Sequence, residues 1–167
     1  MKQAVVILVG LPSSGKSTIA KKYEEQGYLR LNRDTIGGKI DKLVPLLDKA
    51  LSEGKNIVLD NTHCTSKVRG MFITVGKKHD AFIKGIWVQT SSEDCATNAA
   101  LRMLEKHDRL LSPEELKSSK DPNMFPPKVI GFFKSSFQEP ILDEGFDEIE
   151  DVLFERKWGN ECINKVA

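Results

Sequence analysis

Ala4-Val5-Val6-Ile7-Leu8-Val9-Gly10-Leu11-Pro12-Ser13-Ser14-Gly15-Lys16-Ser17-Thr18 is the stretch that decides the fold. Its first six residues form an unbroken apolar, β-branched run, which reads as a strand buried on both faces. Residues 10–17 then fit G-x-x-x-x-G-K-[ST] without a mismatch. The glycines let the backbone turn so that successive N–H groups point at one phosphate. A helix predicted over 17–26 and stopped by Gly27 aims its N-terminal dipole at the same anion. Lys16 is placed to reach the β/γ-phosphates, and the Ser17 hydroxyl to bind Mg²⁺. Gly10, Ser13, Ser14, Gly15, Lys16, Ser17 and Thr18 are therefore the candidate nucleotide-binding set. The plain alternative is an ordinary Gly/Ser turn. A strand directly before the loop and a helix directly after it argue against that.

Outward from this loop, short apolar runs alternate with helical stripes. Residues 28–31, 56–59, 81–88 and 148–154 read as further strands. Ile40, Leu43, Val44, Leu47, Ala50 and Leu51 share one helical face, with Pro45 starting or kinking that helix. Val68, Met71, Phe72 and Val75 mark the next helix, and Ala96, Ala99, Ala100 and Met103 another. Residues 102–125 are polar and carry Ser-Pro and Asp-Pro, which reads as a lid-like segment with a short helix. Pro126-Pro127 opens a helix bearing Val129, Ile130, Phe133 and Phe137. Strands alternating with helices predict an α/β protein with a parallel sheet flanked by helices. At 167 residues, one domain spanning 1–167 is expected.

Two further loops fall where such a sheet places its ligand crevice, at the carboxyl ends of strands. Ile57-Val58-Leu59-Asp60 ends a strand on a carboxylate. Asp60 is a candidate magnesium ligand through water, or else simply a turn-capping residue alongside Asn61 and Thr62. Asn61 stands where many P-loop machines carry a water-polarising Glu, which speaks against a motor or AAA-type ATPase. Asn32-Arg33-Asp34-Thr35 follows the second strand. Phosphorylating a hydroxyl needs a group to accept its proton, and Asp34 is the candidate; helix capping by Asp34 or Thr35 is the alternative. Asp34-Thr35-Ile36-Gly37 mimics a GTPase switch, but no guanine-recognition Asn-Lys-x-Asp occurs: Asn164-Lys165 is followed only by Val166-Ala167.

Composition bounds the partners. Lys+Arg number 25 against Asp+Glu 24, a net charge of +1, so a polybasic nucleic-acid binder is excluded. Arg33, Lys39, Lys42, Lys67 and Arg69 remain as a local patch, with solvated helix faces as the alternative. Trp87 and Trp158 are read as core residues in preference to a base-stacking platform. The three cysteines, Cys64, Cys95 and Cys162, form no disulfide framework or C-x-x-C, and His63-Cys64 alone makes no metal site. Reduced thiols fit a cytoplasmic or nuclear location. No apolar run reaches membrane-spanning length, so no membrane partner is expected.

Taken together, the phosphate loop, Asn32-Arg33-Asp34-Thr35-Ile36-Gly37, Leu59-Asp60-Asn61-Thr62, and Phe137-Gln138-Glu139-Pro140 with Glu144-Gly145-Phe146 resemble the kinase domain of the polynucleotide kinase/phosphatase group. The kinase half of the phage polynucleotide 5′-hydroxyl kinase is a more distant match. The resemblance implies a P-loop kinase fold that uses ATP and Mg²⁺ to phosphorylate 5′-hydroxyl ends of DNA or RNA; separately, a monomer is expected. It implies that Asp34 is the general base, that Lys16 and Ser17 hold phosphate and metal, and that Arg102 is the lid arginine on the transferring phosphate. Arg33, Thr35, Asn61, Thr62 and Arg69 are the expected substrate contacts, and Ser17 and Asp60 the expected metal ligands. The phosphatase motif of the animal proteins, Asp-x-Asp-x-Thr, is absent, so 3′-phosphatase activity is not expected. Ala100 and Gly37 stand where relatives carry arginines, which weakens the anion-binding surface. A small-molecule hydroxyl kinase and a non-catalytic ATP-binding module are the competing readings. With a net charge of +1, contact with a nucleic acid should be confined to its 5′ end and depend only shallowly on salt.

Overall fold

The computed structural model describes residues 2–156. Trp158, Cys162 and Asn164-Lys165, weighed above, lie outside the described residues. Five parallel strands form one sheet: β1 (Ala4–Val9), β2 (Leu29–Leu31), β3 (Ile57–Leu59), β4 (Phe82–Gln89) and β5 (Glu148–Leu153), in the order β2-β3-β1-β4-β5. Helices α1 (Lys16–Glu25), α2 (Arg33–Ile36), α3 (Leu43–Ser52), α4 (Ser66–Lys78), α5 (Ser92–His107), α6 (Pro113–Ser118) and α7 (Lys128–Ser135) connect them.

Side chains alternate across a strand, and β1 uses both directions. Val5, Ile7 and Val9 pack on one face with Leu43, Leu47 and Leu51 of α3 and Phe72 and Ile73 of α4. Val6 and Leu8 pack on the other with Ala20 of α1, Val58, Ile86 and Val88. All five residues from Val5 to Val9 are buried, as an unbroken apolar run predicts. Helix α4 lies so close to β4 that a Cβ on Gly76 would stand 2.3 Å from Ile83 Cδ1. This two-faced burial leaves the carboxyl ends of β1, β2 and β3 side by side, each followed by one of the three loops read above.

Two differences from the sequence expectation have local causes. Residues 33–36 form α2, a one-turn helix, because the Asn32 side chain caps it. Pro45, expected to start or kink its helix, does the former: it lies in the first turn of α3, where a missing N–H costs nothing, after a 3₁₀ turn over Ile40–Lys42. Helix α5 runs to His107, so Arg102 stands on a regular helix and the lid-like segment starts only after it. That segment carries α6, closed by a capping box between Ser112 and Glu115. A small apolar cluster of Met103, Leu116 and Met124 ties it to α5.

Candidate active site

The phosphate loop turns through Ser13 at φ +60 and Gly15 at φ +99, both left-handed. Helix α1 has no side-chain cap at its N-terminus and no acidic residue in its first turn. Its first amides are thus open to an anion, and the dipole favours one. Lys16 is only 7% exposed. Its ammonium donates to the carbonyls of Gly10 (3.0 Å) and Leu11 (2.5 Å) and to Ser14 Oγ (3.1 Å). Burial lowers its pKa to about 8, against the pull of the Asp60 charge.

The other two loops are locked to this one. Gly10 N–H donates to the Thr62 carbonyl at 3.1 Å. Asn32 joins the two carboxylate loops. Its Oδ1 accepts from the amides of Asp34 (2.7 Å) and Thr35 (3.3 Å), while its Nδ2 donates to Asp60 O (2.8 Å) and Oδ2 (3.2 Å). Asn61 Oδ1 accepts from Arg33 N–H at 3.1 Å. One asparagine at the end of β2 therefore positions both candidate carboxylates.

These loops open into a cavity of about 790 Å³. Ser13, Ser14, Gly15, Lys16, Ser17, Thr18, Arg33, Asp34, Asp60, Asn61, Thr62 and Arg102 all line it. Asp34 stands at its rim, with Oδ1 taking Arg33 Nη2 at 2.7 Å. Arg102 reaches the phosphate loop from α5, its Nη1 lying 3.4 Å from Ser13 Oγ. Thr35 does not line the cavity; its amide is spent on the Asn32 cap. The far wall is apolar, built by Val68 and Met71 of α4 and by Phe125, Val129 and Phe133 of the lid and α7.

Asp60 is 2% exposed. Its Oδ2 accepts from Arg30 Nε (3.0 Å), from Arg30 Nη2, and from Asn32. Its other carboxylate oxygen has no hydrogen bond among the described residues. That free oxygen and the Ser17 hydroxyl are hard oxygen donors on one cavity, a set that suits Mg²⁺ completed by phosphate oxygens and water. No group of three or more His, Cys, Asp or Glu residues that could hold a metal occurs among the described residues.

Arg69 is the correction. It does not face a substrate: it is fully buried. Its Nε and Nη2 grip the Glu144 carboxylate at 2.7 and 2.5 Å, Nη1 donates to the His63 and Gln138 carbonyls, and Nη2 also reaches Glu139 O at 3.4 Å. A guanidinium has five N–H donors, and all five are used inside the protein. The C-terminal phrase Gln138-Glu139-Pro140…Glu144-Gly145-Phe146 is thus a buttress. Glu144 holds Arg69, Gln138 Oε1 caps Ser66 N–H at 2.8 Å, and Phe146 packs over Gly85. Trp87 stacks on Phe137, centroids 6.3 Å apart, beside the main core.

Several site residues carried no signal in the sequence. His63, set aside as a metal ligand, is fully buried with a left-handed φ of +45. Its Nδ1 donates to Leu8 O at 2.8 Å, and its Nε2 has no partner among the described residues. Burial lowers its pKa to about 4. Asp41 and Phe125 also line the cavity without a local cue, whereas Lys39, which lines it too, belonged to the expected basic patch.

A family model described as an AAA domain matches residues 5–121. The chain is 35% identical over 153 residues to a bifunctional polynucleotide phosphatase/kinase of Schizosaccharomyces pombe, covering 91% of this chain and 34% of that one. A putative bifunctional polynucleotide phosphatase/kinase of Acanthamoeba polyphaga mimivirus is 28% identical, covering 92% and 34%. The chain thus spans about a third of the length of these curated relatives. The crystal structure of a fungal RNA kinase superposes with a TM-score of 0.66 at 15% identity, covering 96% of this chain and 79% of that one, so it shares the fold. The match lies on the P-loop core, and Asn61 still stands after Asp60 where a motor ATPase carries its water-polarising Glu. With the phosphate loop, the parallel sheet and this match together, the chain belongs to the AAA domain family of P-loop proteins.

Proposed function

We propose that this chain is an ATP-dependent kinase that phosphorylates the 5′-hydroxyl ends of DNA or RNA. The observation that carries the reading is the Asn32 bridge, which holds Asp34 and Asp60 on one cavity with the phosphate loop. In this reading the 5′-hydroxyl enters along the rim near Arg33. Asp34 accepts its proton as the oxygen attacks the γ-phosphorus in line, and the bond from that phosphorus to the β,γ-bridging oxygen breaks to release ADP. Lys16 and Arg102 offset the negative charge on the transferring phosphoryl group. Ser17 and the free oxygen of Asp60 would hold Mg²⁺, which would supply positive charge to offset that of the phosphates. Arg33, Asn61 and Thr62 contact the acceptor end. The relatives' names and the four sequence phrases support a polynucleotide acceptor. The same reading takes residues 1–167 as one catalytic domain, acting as a monomer. Cys64 and Cys95 are free and buried, which supports a reducing compartment, cytoplasmic or nuclear. Among the described residues no helix is long and apolar enough to cross a membrane.

The test is transfer of labelled γ-phosphate from ATP to 5′-hydroxyl oligonucleotides of DNA and RNA, with Asp34→Asn as control. Asp34→Asn should lower kcat by about 10²–10⁴-fold and leave ATP binding in place. No transfer to either polymer, with the fold intact and ATP bound, would overturn the proposal. The apolar wall of Met71, Val129 and Phe133, together with the acidic Asp41 on the cavity, favours a second reading: phosphorylation of a small-molecule hydroxyl. Turnover on a metabolite panel, unaffected by oligonucleotides, would select it.

A further inference from the structure

Two side chains outside every motif in the sequence hold the phosphate loop from behind. Thr90, just past the end of β4 and 6% exposed, donates its Oγ1 hydrogen to the Ser14 carbonyl at 2.8 Å. Asn98, on α5, donates from Nδ2 to the Ser13 carbonyl at 2.9 Å. The Asn98 amide is fixed at its other end too, because its Oδ1 accepts from Arg156 Nη2 at 2.9 Å. Thr90 is fixed as well: its own carbonyl accepts from Cys95 Sγ at 3.8 Å.

The consequence follows from peptide geometry. In a trans peptide the C=O and the next N–H point in opposite directions. Pulling the Ser13 and Ser14 carbonyls outward toward α5 and β4 turns the N–H groups of Ser14 and Gly15 the other way. Ser14 N–H stays inside the loop, on Leu11 O at 3.2 Å. Gly15 N–H has no partner among the described residues, and neither have the first amides of α1 a side-chain cap. Ser13 also holds a left-handed φ of +60, a conformation that a residue with a Cβ keeps only when its surroundings impose it. The Asn98 hydrogen bond falls on that residue's own carbonyl.

We propose that Thr90 and Asn98 are positioning residues for nucleotide binding: they set the orientation of the phosphate-loop amides, and with it the affinity for the triphosphate, without touching it. The inference rests on the ATP-dependent reading above but is independent of which hydroxyl receives the phosphate.

The experiment compares the full chain with Thr90→Val, Thr90→Ser, Asn98→Ala and Asn98→Asp. It measures the Kd for ATP in the absence of acceptor, KM for ATP and for a 5′-hydroxyl oligonucleotide, and the thermal midpoint. Thr90→Val keeps the shape and removes the donor. It should weaken ATP binding by about tenfold, the scale of one lost buried hydrogen bond, and Thr90→Ser should restore it. Asn98→Ala should weaken ATP binding by a similar factor. Asn98→Asp should weaken it further, because a carboxylate cannot donate and repels both the Ser13 carbonyl and the phosphates. Acceptor KM should not move. The proposal is overturned if Thr90→Val and Asn98→Ala lower the midpoint but keep the wild-type ATP Kd, or if acceptor KM shifts instead. Should Thr90→Val fail to fold, Asn98→Ala and Asn98→Asp on part-buried α5 decide alone. Wild-type ATP binding with no phosphoryl transfer to any oligonucleotide would sink the proposed function and leave this inference standing.

Discussion

Removing the Arg69 guanidinium should unfold the protein's C-terminal buttress without touching the chemistry directly. Arg69→Met keeps most of the apolar stem and deletes five hydrogen bonds. What it leaves behind sets the magnitude. The Glu144 side chain is only 10% exposed and loses its counter-ion. The His63 carbonyl loses a donor at a residue that already pays for a left-handed φ. Breaking a buried ion pair from one side costs ~3–5 kcal/mol. For a chain of this size that is a fall of roughly 6–20 °C in Tm. Glu144→Leu in the Arg69→Met background removes the stranded charge and should recover ~1–3 kcal/mol, because a buried pair and an apolar pair differ far less than either does from a half-pair. The assay is urea unfolding of the wild type, both single variants and the double variant, closed as a cycle. A loss below ~1 kcal/mol for Arg69→Met, or no recovery in the double variant, refutes the buttress. Arg69→Met that keeps wild-type stability but raises acceptor KM would return Arg69 to the substrate.

Two pH effects follow from burial. His63 binds its proton at about 4 in the folded chain against 6.5 when free, so the unfolded state takes up the proton first as pH falls. Its contribution to stability is full above pH 6.5 and is lost toward pH 4, about 2 kcal/mol of it between pH 7.5 and 5; unfolding of His63→Phe should show a shallower acid slope by that amount, and an unchanged slope would contradict the burial argument. Lys16 loses its proton at about 8 in the free protein, while triphosphate beside it favours the charged form. ATP binding between pH 8 and 9 should therefore take up protons, which calorimetry in buffers of different ionisation enthalpy would detect, and affinity should fall as pH rises through 8; proton release, or affinity rising over that range, would show that Lys16 is not the group meeting the phosphates.

What the chain sequence determined alone was everything carried by short spacing. A strand, a G-x-x-x-x-G-K-S loop and a helix in direct succession specify a phosphate site because turn, amides and dipole all come from contiguous backbone. Alternating apolar runs specified the parallel sheet, and the strand ends specified where Asp34 and Asp60 would face. The tertiary structure decided what those carboxylates bond to and which cations are free to meet an anion. Arg69 and Arg33 look alike as letters near a site, yet one is buried on Glu144 and the other stands at the cavity rim. The partners that make that difference lie 75 residues away for Glu144, and 76 and 85 residues apart for the Thr90–Ser14 and Asn98–Ser13 bonds. A side-chain hydrogen bond depends on distance to a few tenths of an ångström and on angle. That geometry exists only once helices and strands from both halves of the chain have packed, so no local pattern announces it.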